Sequence, residues 1–154
     1  MKKMQLVVYP LLAALAGCPH AQTPYAFAAP SDAGTAADTA ARTLASSGYP
    51  VDNVDRQTGI VNSKWIANGV PMADGSVFVR RFTITVSPAG QQSNLAITMH
   101  LQKCPPGGYT VGDMQVTGTC QAIDGIFGGD QTAVDELGGK LRAAFSQTAK
   151  STTP

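Results

Sequence analysis

Charge is scarce in this chain: 14% of its 154 residues are charged, with 11 Lys and Arg against 10 Asp and Glu. A balance so near neutral excludes the basic surface that nucleic acid demands and the polybasic patch that draws proteins to anionic lipid. Histidine is limited to His20 and His100, and cysteine to Cys18, Cys104 and Cys120. No C-x-x-C and no H-x-x-x-H spacing occurs, so no metal site and no cofactor are expected. No serine lies in a nucleophile-elbow pattern. The glycine-rich run GIFGGDQ (125–131) lacks the Lys-Ser/Thr of a phosphate loop and reads as the approach to a helix. Long hydrophobic runs are missing too: the stretch from Leu6 to Ala16 is interrupted by Pro10 and falls short of the ~20 residues a spanning helix needs.

What is present begins with that short apolar stretch. It follows Met1-Lys2-Lys3 and ends in the small residues Ala16 and Gly17, the layout of a secretory signal. Leu15-Ala16-Gly17-Cys18 resembles the bacterial lipobox, in which the cysteine thiol is acylated and the chain is cut just before it. The resemblance implies that residues 1–17 are a lipoprotein signal peptide and that Cys18 opens the mature chain as its lipidation site. Two or more acyl chains give stable attachment where one is marginal, at ~0.8 kcal/mol per buried methylene. Pro19 stands where an Asp often retains such lipoproteins at the inner membrane, so the resemblance implies the outer membrane. Membrane contact through acylated Cys18 and an envelope protein partner are the expected interactions, with no nucleic acid.

With Cys18 acylated, the odd cysteine count resolves. Cys104 and Cys120 remain, and in an oxidising compartment they are expected to pair as a disulfide. The loop so closed is worth ~3 kcal/mol in the chain-entropy model. Two thiols alone do not complete a metal site. Loss of Lys2 and Lys3 with the signal leaves nine basic residues against ten acidic ones.

Residues 18–33 hold three prolines and no lasting periodicity and read as a flexible tether, followed by one domain over 34–150. In that domain Ala37, Ala40, Ala41 and Leu44 recur at helical spacing, with Asp38 and Arg42 at i,i+4. Ser31 or Thr35 is the expected cap and Gly48 the stop. Ile60 to Ile66 reads as extended, with Val61 and Trp65 on one face, and Trp65 is expected to anchor the core. Phe82, Ile84 and Val86 alternate against Arg81, Thr83 and Thr85, with room for a bulge near Arg80. Leu95, Ile97, Met99 and Leu101 alternate against Ala96, Thr98 and His100, and SPAGQQ (87–92) joins the two strands as a hairpin. A fourth strand is expected from Met114 to Cys120. A last helix is expected over about 131–148, capped by Asp130, with Val134, Leu137, Leu141, Ala144, Phe145 and Thr148 facing inward. Gly138-Gly139 either weakens it or permits close packing.

The sum is an α+β two-layer sandwich: an antiparallel sheet of three to five strands covered by an N-terminal and a C-terminal helix. His100 on a polar strand face reads as a solvated residue, and Arg80-Arg81 as ordinary surface charge able to meet an anionic partner. No catalytic residues are expected, and the chain reads as no enzyme. The run GYPVDNVDRQTGIVNSKW (48–65), with its Gly-x-x-x-Ser-x-Trp, is similar to small outer-membrane accessory lipoproteins with a helix-grip-like domain. That resemblance implies a non-catalytic protein that binds or scaffolds other envelope components. The alternative is a module holding a small apolar ligand between sheet and helices, near Phe82, Met99 and Phe145.

Overall fold

The computed structural model describes residues 20–106 and 119–151. Its backbone is one long hairpin, β5 (Val77–Ala89) with β6 (Gln92–Cys104), paired without interruption from Val77↔Cys104 to Ala89↔Gln92. Gly90 turns the chain at φ 67°, and a glycine at the first central position is what a two-residue II′ turn requires. The register with β6 is continuous through Arg80; the irregularity near Arg80 lies on the other side of β5, where the pairing shifts by one residue between Asn62↔Thr83 and Ile66↔Arg80. Strict alternation puts Phe82, Ile84 and Val86 of β5, and Leu95, Ile97 and Met99 of β6, on one buried face.

Shorter strands extend the pair on both sides. β1 (Tyr25–Ala29) pairs with β6 at residues 93–97, and β7 (Gln121–Ile123) pairs with β6 at residues 101–103. On the other side β3 (Ile60–Ser63) and β4 (Ile66–Ala67) pair with β5 in succession, and β2 (Val51–Asp55) pairs with β3. The result is a seven-stranded antiparallel sheet whose main path, β1-β6-β5-β3-β2, has five strands. Gly59 closes the β2–β3 turn at φ 71°; a Cβ there would lie 2.0 Å from the Val86 carbonyl oxygen.

Both helices cover the buried face. α1 (Ala33–Ser46) presents Ala36, Ala37, Ala40 and Leu44, small side chains that let it lie close to the sheet. Its N-cap is Asp32 rather than Ser31 or Thr35: the carboxylate accepts from the Thr35 amide at 3.0 Å and the Thr35 hydroxyl at 2.7 Å. Its C-terminus is a Schellman motif, with Tyr49 N–H donating to Leu44 O and Gly48 N–H to Ala45 O, and Gly48 at φ 86°. Asp38 does not pair with Arg42. It reaches Arg56 in the β2–β3 turn at 2.7 Å, while Arg42 donates to Thr39. α2 (Gly128–Ser151) buries Val134, Leu137, Leu141 and Phe145. It begins two residues before Asp130, which sits within its first turn and accepts from the Phe127 amide at 3.1 Å, a capping contact made from inside the helix.

The two-layer α+β arrangement is as the sequence implies, with one substantial correction. The expected tether is not free over its whole length: Tyr25, Phe27 and Ala29 face the core as β1, and Phe27 meets Phe145 with ring centroids 6.0 Å apart. Burial of these rings together with five ladder positions outweighs the flanking prolines, which lie outside the strand at 24 and 30. The domain therefore starts ahead of residue 34. Cys104 and Cys120 are disulfide-bonded, joining the end of β6 to the approach to β7. The expected signal peptide, Cys18, most of the expected Met114–Cys120 strand and the Thr148 side chain lie outside the described residues. Among the described residues no helix is long and apolar enough to cross a membrane.

Candidate functional site

The face of the sheet turned away from the helices carries Asn62, Arg81, Thr83, Thr98 and His100. Successive residues of a strand point to opposite faces, so Arg80 and Arg81 part company. Arg80 goes to the helix side, where it lies 3.5 Å from the buried carboxylate of Asp130 and over the rings of Tyr49 and Phe82. Asn68 donates to the same carboxylate at 2.9 Å, so Arg80 is part of the packing that holds α2. Arg81 goes to the open face and has no carboxylate partner among the described residues.

Trp65 joins Arg81 there, and is not the core anchor the sequence suggested. Strand β3 ends at Ser63, whose hydroxyl turns inward, accepting from the Phe82 amide at 2.9 Å and donating to the Lys64 carbonyl at 2.9 Å. Lys64 and Trp65 then lie outside any strand. The alternation that would have kept Trp65 on the face of Val61 is lost, and its half-buried indole lies under the Arg81 guanidinium, 4.9 Å from carbon to ring centroid. A guanidinium over an indole face is the favoured cation–π pairing.

On the other side of β6, β1 stops at Ile97 and β7 starts opposite Leu101. Among the described residues, Thr98, Met99 and His100 therefore have no strand beside them on the edge away from β5. A cleft of about 420 Å³ opens at this gap. Its far wall is the segment before β1, fixed by two tethers. His20 and Ile126 exchange backbone hydrogen bonds at 3.0 and 2.9 Å, and the Gln131 side-chain amide clamps Thr23, donating to its carbonyl at 2.9 Å and accepting from its amide at 3.1 Å. Gly125 makes the first contact feasible, since a Cβ there would lie 2.4 Å from the His20 carbonyl oxygen.

Among the described residues, Nε2 of Gln22 and Nε of Arg81, both of residues at the cleft, are buried without a hydrogen-bond partner. A buried donor left unsatisfied costs ~1–3 kcal/mol, more when charged. His100 stands directly across from Arg81 in the ladder. Partial burial, and then the Arg81 charge, push its pKa below the ordinary histidine value, so the imidazole is neutral at neutral pH. It makes no hydrogen bond to a serine or threonine hydroxyl among the described residues. Asp124, at the rim, is exposed.

Sequence reasoning weighed Trp65, His100 and the Arg80-Arg81 pair separately. The fold brings Trp65, Arg81 and His100 together and removes Arg80. Gln22 was lost in the supposed tether. Its signal was Tyr25-x-Phe27-x-Ala29, an alternation that marks the neighbouring strand and hence fixes the preceding residues. The disulfide lies beside a second hollow of about 270 Å³, bordered by Asp74, Ser76 and Lys103. There the Ser76 hydroxyl and amide, aided by Lys103, hold the Asp74 carboxyl down to about 2.

No protein-family model matches the sequence, and no curated protein matches it. Among solved structures, the chain is similar to a DUF4468 family protein from Bacteroides ovatus, at 10% identity and a TM-score of 0.39, over 86% of each chain. A likeness at that level supports no transfer of fold or function.

Proposed function

We propose that this chain is a non-catalytic, lipid-anchored protein of the bacterial outer membrane. In this reading it binds another envelope component through the open sheet face around Trp65 and Arg81. The anchor rests on the lipobox at Leu15–Cys18. The binding role rests on one observation: a stacked Trp–Arg pair, the cation without an acid partner among the described residues, beside a gap in the sheet. Tryptophan and arginine are the side chains that most often dominate interface energetics. The competing reading, an apolar ligand held between sheet and helices, is weakened by the packing of Phe82, Met99 and Phe145 within the core cluster. An envelope hydrolase would need a nucleophile beside His100, and Arg81 is what stands there.

Two variants test the reading. Cys18→Ser is expected to leave the leader uncut and to abolish the acylated, processed form in the membrane fraction, read by mass spectrometry and fractionation. Normal processing and persistent attachment would refute the anchor. A photocrosslinking residue at Thr98 is expected to capture an envelope component that the same residue at Glu136, on the exposed side of α2, does not. Equal capture from both positions would refute the assignment of the face.

A further inference from the structure

We infer that the cleft beside Arg81 binds a small organic carboxylate: a single negative charge on an apolar body. The inference deepens the reading just given, since it names the ligand chemistry of the same face. It stands on side chains that are independent of the anchor.

The charge comes first. Arg81 is partly buried against the indole, its Nε is shielded without an acceptor, and no carboxylate among the described residues neutralises it. A partly desolvated cation without a counter-charge is where an anion gains most, because attraction strengthens as water is excluded. Gln22 supplies a second buried donor without an acceptor across the same cleft. A carboxylate matches the planar guanidinium fork. His100, neutral, adds no second fixed charge, so one cation faces the ligand. That count suits a monoanion better than a doubly charged phosphate. The Asp124 carboxylate at the rim works against anions of higher charge as well.

The body comes second. Trp65 and Ile123 contribute apolar surface to the walls. A volume of about 420 Å³ lies within the range of small-molecule sites, ~300–1,000 Å³, and far exceeds what a lone inorganic ion fills. The lining mixes apolar side chains with polar ones, Arg81, Thr98, His100 and Gln102 among them, that can fix a ligand's orientation.

Trp65 is the only tryptophan of the chain and reports on the cleft directly. The full chain, with its disulfide intact, is titrated with benzoate, with benzamide as the uncharged isostere, and with inorganic phosphate, by tryptophan emission and by calorimetry. Benzoate is expected to give a saturable emission change and to bind at least about tenfold more tightly than benzamide or phosphate, the loss that removal of one charge-assisted contact produces. Arg81→Gln is expected to abolish that preference. Arg81→Lys, which keeps the charge if the glutamine variant unfolds, retains a preference reduced but in the same direction. Equal affinity for benzoate and benzamide, a preference for phosphate, or no saturable response to benzoate would each overturn the inference. None of these outcomes touches the anchor, which the Cys18→Ser fractionation judges separately.

Discussion

Two adjacent glycines show how far a residue's meaning depends on what lies against it. Gly138 and Gly139 both sit inside α2, where a glycine costs ~1 kcal/mol relative to alanine. From the sequence the pair is ambiguous, a weak point or a close contact. Packing separates them: a Cβ on Gly138 would lie 2.3 Å from the ring of Tyr25, while a Cβ on Gly139 meets nothing within 4 Å. Gly139→Ala is therefore expected to stabilise the protein by about 0.5–1 kcal/mol, the helix propensity gain alone. Gly138→Ala gains the same propensity but must displace Tyr25 and with it the seat of β1, so a net loss of about 1–3 kcal/mol follows, the usual range for overpacking. Urea denaturation midpoints of the two variants decide the matter. Equal shifts of the same sign would mean that β1 does not lie on α2 as described.

At the scale of elements, what was legible and what was hidden divide along one line. The β5–β6 hairpin could be read because alternation ran unbroken on both sides of a two-residue turn, and that pattern depends on local sequence alone. The same holds for α1, whose alanine stripe and Gly48 stop are local. β1 was missed because Pro24 and Pro30 frame it and five residues are too few to outweigh them, though Tyr25, Phe27 and Ala29 alternate correctly. Trp65 was put on the wrong face because one hydroxyl, that of Ser63, ends the strand two residues early. The cleft could not be read at all: it arises where β1 and β7 leave three residues of β6 uncovered, a consequence of pairings between distant segments. β7 has only three residues, and the bond from Cys104 to Cys120 fixes where it joins β6. Replacing both cysteines by serine is expected to lower stability by about 2–4 kcal/mol. Amide exchange should quicken in residues 121–123 well before it does in the long hairpin, since short edge strands open at lower cost than the core. Unchanged protection of residues 121–123 would show that the bond does not hold β7.

For the molecule as a whole, the strand at Tyr25–Ala29 and the bridge at His20 alter what an acylated Cys18 would do. A tether running to residue 33 would let the domain range widely above a bilayer. With His20 fixed against Ile126, a single residue, Pro19, separates the anchor from the fold, a span of about 7 Å at full extension. The wall that borders the cleft, Ala21 and Gln22, is then the part of the domain held nearest the lipid. The proposed anchor and the proposed site would share one end of the molecule, and a ligand would reach the cleft along the membrane surface. Trp65, across that cleft, makes the distance measurable. In acylated protein on vesicles doped with a dansyl-headgroup lipid, energy transfer from Trp65 is expected to be efficient. It should fall when Gly-Ser repeats are inserted between Pro19 and His20. It should also fall in Gly125→Ala, where the new methyl meets the His20 carbonyl and the backbone, at φ 96°, disfavours any side chain. Freeing His20 lengthens the leash to the start of β1, seven residues from Cys18, or about 25 Å. Transfer that stays constant across both changes would mean that the domain does not hang from position 18 by a short link, and the common placement of anchor and cleft would go with it.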